Sequence, residues 1–205
     1  GRAYVVAGPV TGDGILADRA VAVIGSDEVD DNLASTALGG VDLDGDLVPD
    51  YLLCAYDAGE GSPSPGAAYL VSGPVSGTLQ VQADARTTIE GVAGMGHFAE
   101  ACAVAGDVDH DGQADVLIGA HEHGVELEGR AYLFYDLPAG VVAAEDASAI
   151  FVGPTADEDL GWAVGGGRDL TGDGFADVVI GARKVSETAD LQGAVYVVPG
   201  GIGEP

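Results

Sequence analysis

Carboxylates concentrate at one spacing in three stretches of the chain: Asp42-Leu-Asp-Gly-Asp-Leu-Val-Pro-Asp50, Asp107-Val-Asp-His-Asp-Gly-Gln-Ala-Asp115 and Asp169-Leu-Thr-Gly-Asp-Gly-Phe-Ala-Asp177. Side-chain oxygens fall at positions 1, 3, 5 and 9 of each stretch, with a backbone carbonyl available at position 7. A short loop with that pattern can curl around one hard cation that accepts about six to eight oxygens. The candidate ligands are Asp42, Asp44, Asp46, Val48 and Asp50; Asp107, Asp109, Asp111, Gln113 and Asp115; and Asp169, Thr171, Asp173, Phe175 and Asp177. No soft ligand accompanies them, so the expected ion is Ca²⁺, up to three per chain, rather than zinc.

The loops are not equivalent. An acidic turn that binds nothing is the competing reading, and it is weakest for 107–115, where four carboxylates would repel at close range and Gly112 supplies the sharp turn at position 6. Leu47 holds that position in 42–50, where a positive φ is costly for a branched residue, so an altered turn is expected. In 169–177 the third-position carboxylate is replaced by Thr171, a weaker donor, and occupancy at lower affinity is expected.

The elements that must hold these loops also repeat. Gly1-Arg-Ala-Tyr4, Gly66-Ala-Ala-Tyr69, Gly129-Arg-Ala-Tyr132 and Gly193-Ala-Val-Tyr196 recur at intervals of 65, 63 and 64 residues, each leading into a β-type run. Such a period means a multi-stranded unit stacked on copies of itself. Four short strands per unit follow from apolar runs bounded by Gly, Pro and Asp. Strand A is expected at Leu33–Val41, Phe98–Gly106 and Leu160–Arg168, and strand B at Asp50–Tyr56, Asp115–His121 and Asp177–Arg183. Strand C carries Gly-x-x-Tyr, and strand D ends at Gly25, Gly91 and Gly153. Each acidic loop therefore joins A to B.

In these features the chain resembles the FG-GAP repeats that build the β-propeller of integrin α subunits and related bacterial surface proteins. The first motif dipeptide falls at Leu33-Ala34, Phe98-Ala99 and Leu160-Gly161, and the second motif at Cys54-Ala55-Tyr56, Gly119-Ala120-His121 and Gly181-Ala182-Arg183. The resemblance implies an all-β fold of propeller-type blades, each of four antiparallel strands, with calcium in the A–B hairpin. About three blades are expected: residues 1–32 as strands C and D of a leading blade, 33–97 as blade 1, 98–159 as blade 2 and 160–205 as an incomplete blade 3. A start in mid-repeat without Met is expected either of a trimmed piece of a longer protein or of a protomer completing its sheet in an assembly. Propellers close with about four to eight blades, and exposed edges invite pairing with another chain or copy, a filament among the outcomes.

Composition narrows the setting. A net charge of -27, from 7 Lys+Arg against 34 Asp+Glu, combined with 47% hydrophobic residues, describes a folded and strongly acidic chain. Nucleic acid is excluded as an expected partner, because phosphate binding needs basic patches. No apolar stretch reaches the roughly 20 residues of a membrane span, and no secretory leader is legible. Three dications would bring the charge only to about -21, so the loops account for part of the acidity alone. The acidity and the lone Lys184 fit either a saline habitat or a divalent-rich exterior.

Other residues admit a bland reading beside a chemical one. Thr11-Gly-Asp-Gly14 lies between strands C and D without later aspartates and reads as a turn. His121-Glu-His123 could seat a transition metal, since alternate strand residues share a face. With no third ligand in sequence, a solvent-facing strand end is the favoured reading. For Trp162, burial against the neighbouring blade is favoured over sugar stacking. The repeated tyrosines read as packing residues with a bonded hydroxyl. Cys54 and Cys102, on strand B of one blade and strand A of the next, read equally as a disulfide or as two buried thiols.

Two function classes follow. One is a calcium-rigidified, non-enzymatic structural or adhesive module at the cell surface or outside the cell, with a protein or glycan partner. The other is the propeller of a secreted enzyme, such as a polysaccharide lyase or phospholipase, which would need convergent acid and base groups. His97, His121, His123 and Arg130 are the nearest candidates, and no nucleophile motif accompanies them, so the module is favoured.

Overall fold

The computed structural model describes residues 1–59, 64–92, 96–185 and 192–201. The ends of the 33–97 and 160–205 units therefore fall partly outside the described residues.

Among the described residues fifteen strands form, in chain order β1 (Arg2–Val6), β2 (Ala20–Gly25), β3 (Thr36–Val41), β4 (Asp50–Ala55), β5 (Ala67–Val71), β6 (Gly77–Gln80), β7 (Thr87–Glu90), β8 (Cys102–Gly106), β9 (Asp115–Ala120), β10 (Arg130–Phe134), β11 (Gly140–Ala143), β12 (Ala149–Val152), β13 (Leu160–Arg168), β14 (Asp177–Ala182) and β15 (Ala194–Val198). Blade 1 is the antiparallel run β3-β4-β5-β7, blade 2 is β8-β9-β10-β12, and β13-β14-β15 supply strands A to C of the third unit. The leading unit contributes β1 and β2, paired antiparallel.

Two strands were not anticipated. Between strands C and D, β6 pairs parallel with β2, and β11 pairs parallel with β7. Each blade thus sends a strand back to the outer edge of the blade before it, making the sheet of blade 1 five-stranded. A helical turn follows each, Val81–Asp84 and Ala144–Asp146. Both segments are only four residues long, and their sequences, Gly-Thr-Leu-Gln and Gly-Val-Val-Ala, carry little alternation.

Strand A also begins later than expected in blades 1 and 2, at Thr36 and Cys102 rather than at Leu33 and Phe98. The cause lies in the backbone: Asn32, Ala34, His97 and Ala99 all have positive φ, which turns the chain before it can extend. Strand B stops one residue early in each unit, so Tyr56, His121 and Arg183 stand just beyond the sheet.

The central strands are buried on both faces, and their side chains alternate between two cores. Val116, Ile118 and Ala120 of β9 pack with Leu52, Cys54 and Leu70 of blade 1. Leu117 points the other way, to Leu133, Val178 and Ile180. A third core joins Ile24 to Leu53, Ala55 and Tyr69. The apolar cores therefore lie between successive sheets, and burying side chains of Leu or Ile size there contributes about 1.5–3 kcal/mol each. A disulfide between Cys54 and Cys102 crosses the gap between blades 1 and 2, with Cα atoms 6.8 Å apart.

Candidate metal centres

The three acidic loops share one hydrogen-bond scheme. The N–H at position 6 donates to the position 1 carboxylate: Leu47 to Asp42 at 2.8 Å, Gly112 to Asp107 at 3.1 Å and Gly174 to Asp169 at 2.9 Å. The N–H at position 2 donates to position 9: Leu43 to Asp50 at 2.8 Å, Val108 to Asp115 at 2.6 Å and Leu170 to Asp177 at 2.7 Å. Carboxylates accepting from nearby backbone favour turns over sheet, which is why the hairpin curls here.

The altered turn expected at Leu47 is not found. Leu47 adopts φ +67°, in the same left-handed region as Gly112 at +93° and Gly174 at +97°, and its side chain is left in solvent. The position 1 carboxylate holds the loop in that conformation despite the branched side chain.

Carboxylate oxygens converge within 4.8 Å of one another in each loop: Asp42, Asp44 and Asp50; Asp107, Asp109 and Asp115; Asp169, Asp173 and Asp177. The position 5 residues Asp46 and Asp111 stand apart from the first two sets, each accepting the position 7 N–H, from Val48 and Gln113, at 2.7 Å. In the third loop Asp173 joins the set and accepts from Phe175 at 3.0 Å. Thr171 turns its hydroxyl to Asp177, 3.4 Å away.

Position 9 distinguishes the loops. The second oxygen of Asp50 accepts from Gly73 N–H at 3.0 Å, and that of Asp177 from Gly200 N–H at 3.1 Å. A Cβ at Gly73 would come within 2.2 Å of the Pro49 carbonyl, and one at Gly200 within 2.4 Å of the Ala176 carbonyl. Asp136 occupies that place in blade 2, and Oδ1 of Asp115 is buried without a hydrogen-bond partner, as is Oδ1 of Asp107. Burial, and then the charges of Asp109, Asp111 and Asp107, outweigh the Val108 N–H and push Asp115 up to about 7. For Asp177 burial also acts upward, but N–H groups of Gly200, Leu170 and Thr171 prevail and hold it below the usual carboxylate range. Asp42 is held low in the same way, by Leu47, Gly45, Asp44 and Asp46 against burial.

Two residues at the first loop escaped the sequence reading. Ser72 donates to Asp44 at 2.6 Å, and the Arg86 guanidinium stands 3.2 Å from the same carboxylate. Arg86 comes from the start of strand D, so neither spacing nor period signals it.

The remaining candidates separate. His121 is buried rather than solvent-facing, at 2% exposure, and burial before all else lowers its pKa. His123 does not join it: its Nδ1 is hydrogen-bonded to the Tyr132 hydroxyl. His121 meets His97 instead, with ring centroids 5.0 Å apart, and Arg130 pairs with Glu128 at 3.6 Å. Trp162 packs edge-on against His121 of the neighbouring blade at 4.5 Å, yet stays 38% exposed beneath the Arg183 guanidinium. Around Thr11-Gly-Asp-Gly14, Arg19 holds the carbonyls of Thr11 and Asp13, which makes it a turn.

Comparison with known proteins agrees with this architecture. Residues 160–198 match the family model described as FG-GAP repeat. Integrin alpha pat-2 of Caenorhabditis briggsae is 33% identical over 112 residues, 54% of this chain and 9% of that protein. Integrin alpha-PS2 of Drosophila melanogaster is 29% identical over 157 residues, 71% of this chain and 11% of its own length. Integrin alpha-5 of Xenopus laevis is 31% identical over 109 residues, 51% of this chain and 10% of that protein. The chain thus spans about a tenth of the length of the relatives it matches. The acidic hairpins, the stacked four-stranded blades and these matches agree: residues 160–198 carry an FG-GAP repeat, and the chain is similar to a segment of integrin α subunits.

Proposed function

We propose that this chain is a calcium-binding, non-enzymatic structural or adhesive module of an extracellular or cell-surface protein. The observation that carries the reading is the pair of buried, unpartnered oxygens on Asp107 and Asp115, converging with Asp109. A buried carboxylate oxygen without a donor is costly unless a cation meets it, and an all-oxygen set suits Ca²⁺. The ligands would be the convergent carboxylates of each loop, supplemented by Asp46, Val48, Asp111, Gln113, Thr171 and Phe175. When bound, the ion supplies charge neutralisation that locks the A–B hairpin.

The integrin α likeness supports an adhesive role, and the Cys54–Cys102 bond supports an oxidising exterior. Among the described residues no helix is long and apolar enough to cross a membrane. The partner is a protein or glycan, or copies of the chain joined through blade edges. The return strands β6 and β11 support the edge reading, since each already extends a neighbouring sheet. The units 1–32, 33–97, 98–159 and 160–205 serve as its blades. Calorimetric titration of chelated protein with CaCl₂ tests the reading: up to three sites are expected, strongest at 107–115, and absence of any heat with unchanged thermal stability would refute it.

A further inference from the structure

At the end of blade 2 opposite its acidic loop, a different donor set converges. Glu100 Oε2 stands 2.8 Å from His97 Nδ1 and 3.4 Å from His121 Nδ1. One atom from each of the three residues lies within 4.8 Å of the others. All three atoms are buried, and none has a hydrogen-bond partner in acceptable geometry despite the short separations. An unpartnered nitrogen on a side chain only 2% exposed is an expensive thing to leave in a fold.

We propose that His97 Nδ1, His121 Nδ1 and the Glu100 carboxylate form a site for a divalent transition ion, Zn²⁺ being the one that fits best. Two donors each about 2.1 Å from a tetrahedral ion stand roughly 3.4 Å apart, close to the separations seen. Imidazole nitrogens suit zinc far better than calcium, so the site is chemically distinct from the aspartate loops. Its outer contacts match as well. Glu122 places Oε2 3.4 Å from His97 Nε2 and Oε1 3.7 Å from His121 Nε2. The Glu122 carboxylate lies on the side of the far nitrogen of each ring, where its charge favours the proton on Nε2 and leaves the Nδ1 lone pair for an ion, as second carboxylates do beside metal-bound histidines. Glu100 and Glu122 together bring two negative charges, which one dication balances.

The site also sits where three units meet. His97 stacks on Tyr56 beyond strand B of blade 1, at 5.5 Å between centroids, and His121 meets Trp162 of β13 at 4.5 Å. An ion there would tie the turn before β8 to the end of β9 while both rings are gripped by neighbouring blades. Three protein ligands leave a coordination position open.

The test is titration of the tag-free full-length protein with ZnCl₂ under saturating calcium, which keeps zinc out of the aspartate loops and separates this proposal from the calcium reading. One zinc per chain is expected, with affinity about 100-fold weaker in His97→Gln and in His121→Gln, and about 10- to 100-fold weaker in Glu122→Gln. His123→Gln should change nothing. Co²⁺ in place of zinc should give the visible absorption of a four-coordinate nitrogen–oxygen site, lost in the same variants. If His121→Gln fails to fold, His97→Gln, whose side chain is 36% exposed, decides the matter. No stoichiometric uptake, uptake indifferent to His97, or uptake that follows His123 would overturn the assignment.

Discussion

The loops of blade 2 and of the third unit have the same length, the same position 1 and 9 carboxylates and the same turn, yet they solve the burial of their last aspartate in opposite ways. Asp177 has both oxygens met by backbone and side-chain donors, from Leu170, Thr171 and Gly200. Asp115 has one oxygen met by Val108 and the other by nothing. The difference traces to one residue outside either loop: a glycine lets strand C approach closely enough to donate, and Asp136 does not. The comparison teaches that a ligand pattern read along a loop does not say how much the loop needs its ion. That need depends on which donors the rest of the blade delivers.

The largest expected effect is chelation. Each ion bound only by the folded state adds about 2.7 kcal/mol at a hundredfold excess over Kd, so three would add roughly 8 kcal/mol. Exhaustive chelation should therefore lower the melting temperature markedly, and hydrogen exchange should show β8 and β9 opening before β14. Equal protection of the two hairpins without calcium would break the comparison.

Asp115→Asn should then have an effect that changes sign with calcium. In chelated protein it removes an uncompensated buried charge and raises the melting temperature; in calcium-loaded protein it removes a ligand and lowers it, by about 1–3 kcal/mol in each case. Asp177→Asn should destabilise both forms, because its charge is held by three backbone donors. Matching behaviour of the two variants in differential scanning calorimetry would show that the Gly200 donor, which has no counterpart at Asp136, does not matter.

Acidity separates the loops in a third way. Asp115 has a folded-state pKa raised from 3.8 to about 7, so in metal-free protein its stabilising contribution is present below pH 3.8 and is lost as pH rises through 7. Asp177 is shifted below its ordinary value, so its contribution is present above pH 3.8 and is lost as pH falls through its depressed folded value. Metal-free blade 2 should accordingly lose exchange protection as pH rises from about 4 to about 7, while β14 loses it only in acid. Protection of β9 that rises toward pH 8 would contradict the assignment.

Asp136→Gly should shift blade 2 toward the other solution by giving Asp115 its missing donor, stabilising the chelated form by about 1 kcal/mol and reducing the calcium dependence of melting. Smallest of all, Leu47→Gly relieves a left-handed leucine at about 1–2 kcal/mol but gives back roughly 0.4–1 kcal/mol of unfolded-chain entropy, for a gain near half a kcal/mol in chemical denaturation.

Much of this architecture was legible because it is local and periodic. The acidic loops, the Gly-x-x-Tyr strands and the alternation along strands such as Asp115–Ala120 each fix a conformation from neighbouring residues, and repetition at 65, 63 and 64 residues confirms the register. Strand starts at Thr36 and Cys102 were misplaced because Ala34 and Ala99 occupy a left-handed position that sequence would assign to glycine. Spacing does not separate the position 5 aspartates Asp46 and Asp111, which cap their own turns, from Asp173, which also joins the convergent set.

By itself the sequence determined that the chain is a β repeat with three carboxylate hairpins, because those properties depend on side-chain period and on turn chemistry within about ten residues. Only the tertiary structure decided what lies between repeats: the return strands β6 and β11, the Cys54–Cys102 bond, Arg86 beside Asp44, and the meeting of His97, Glu100 and His121. The physical reason is that each of these joins groups from separate turns or separate blades. Their proximity is set by how sheets stack through apolar cores, and no spacing along the chain encodes it.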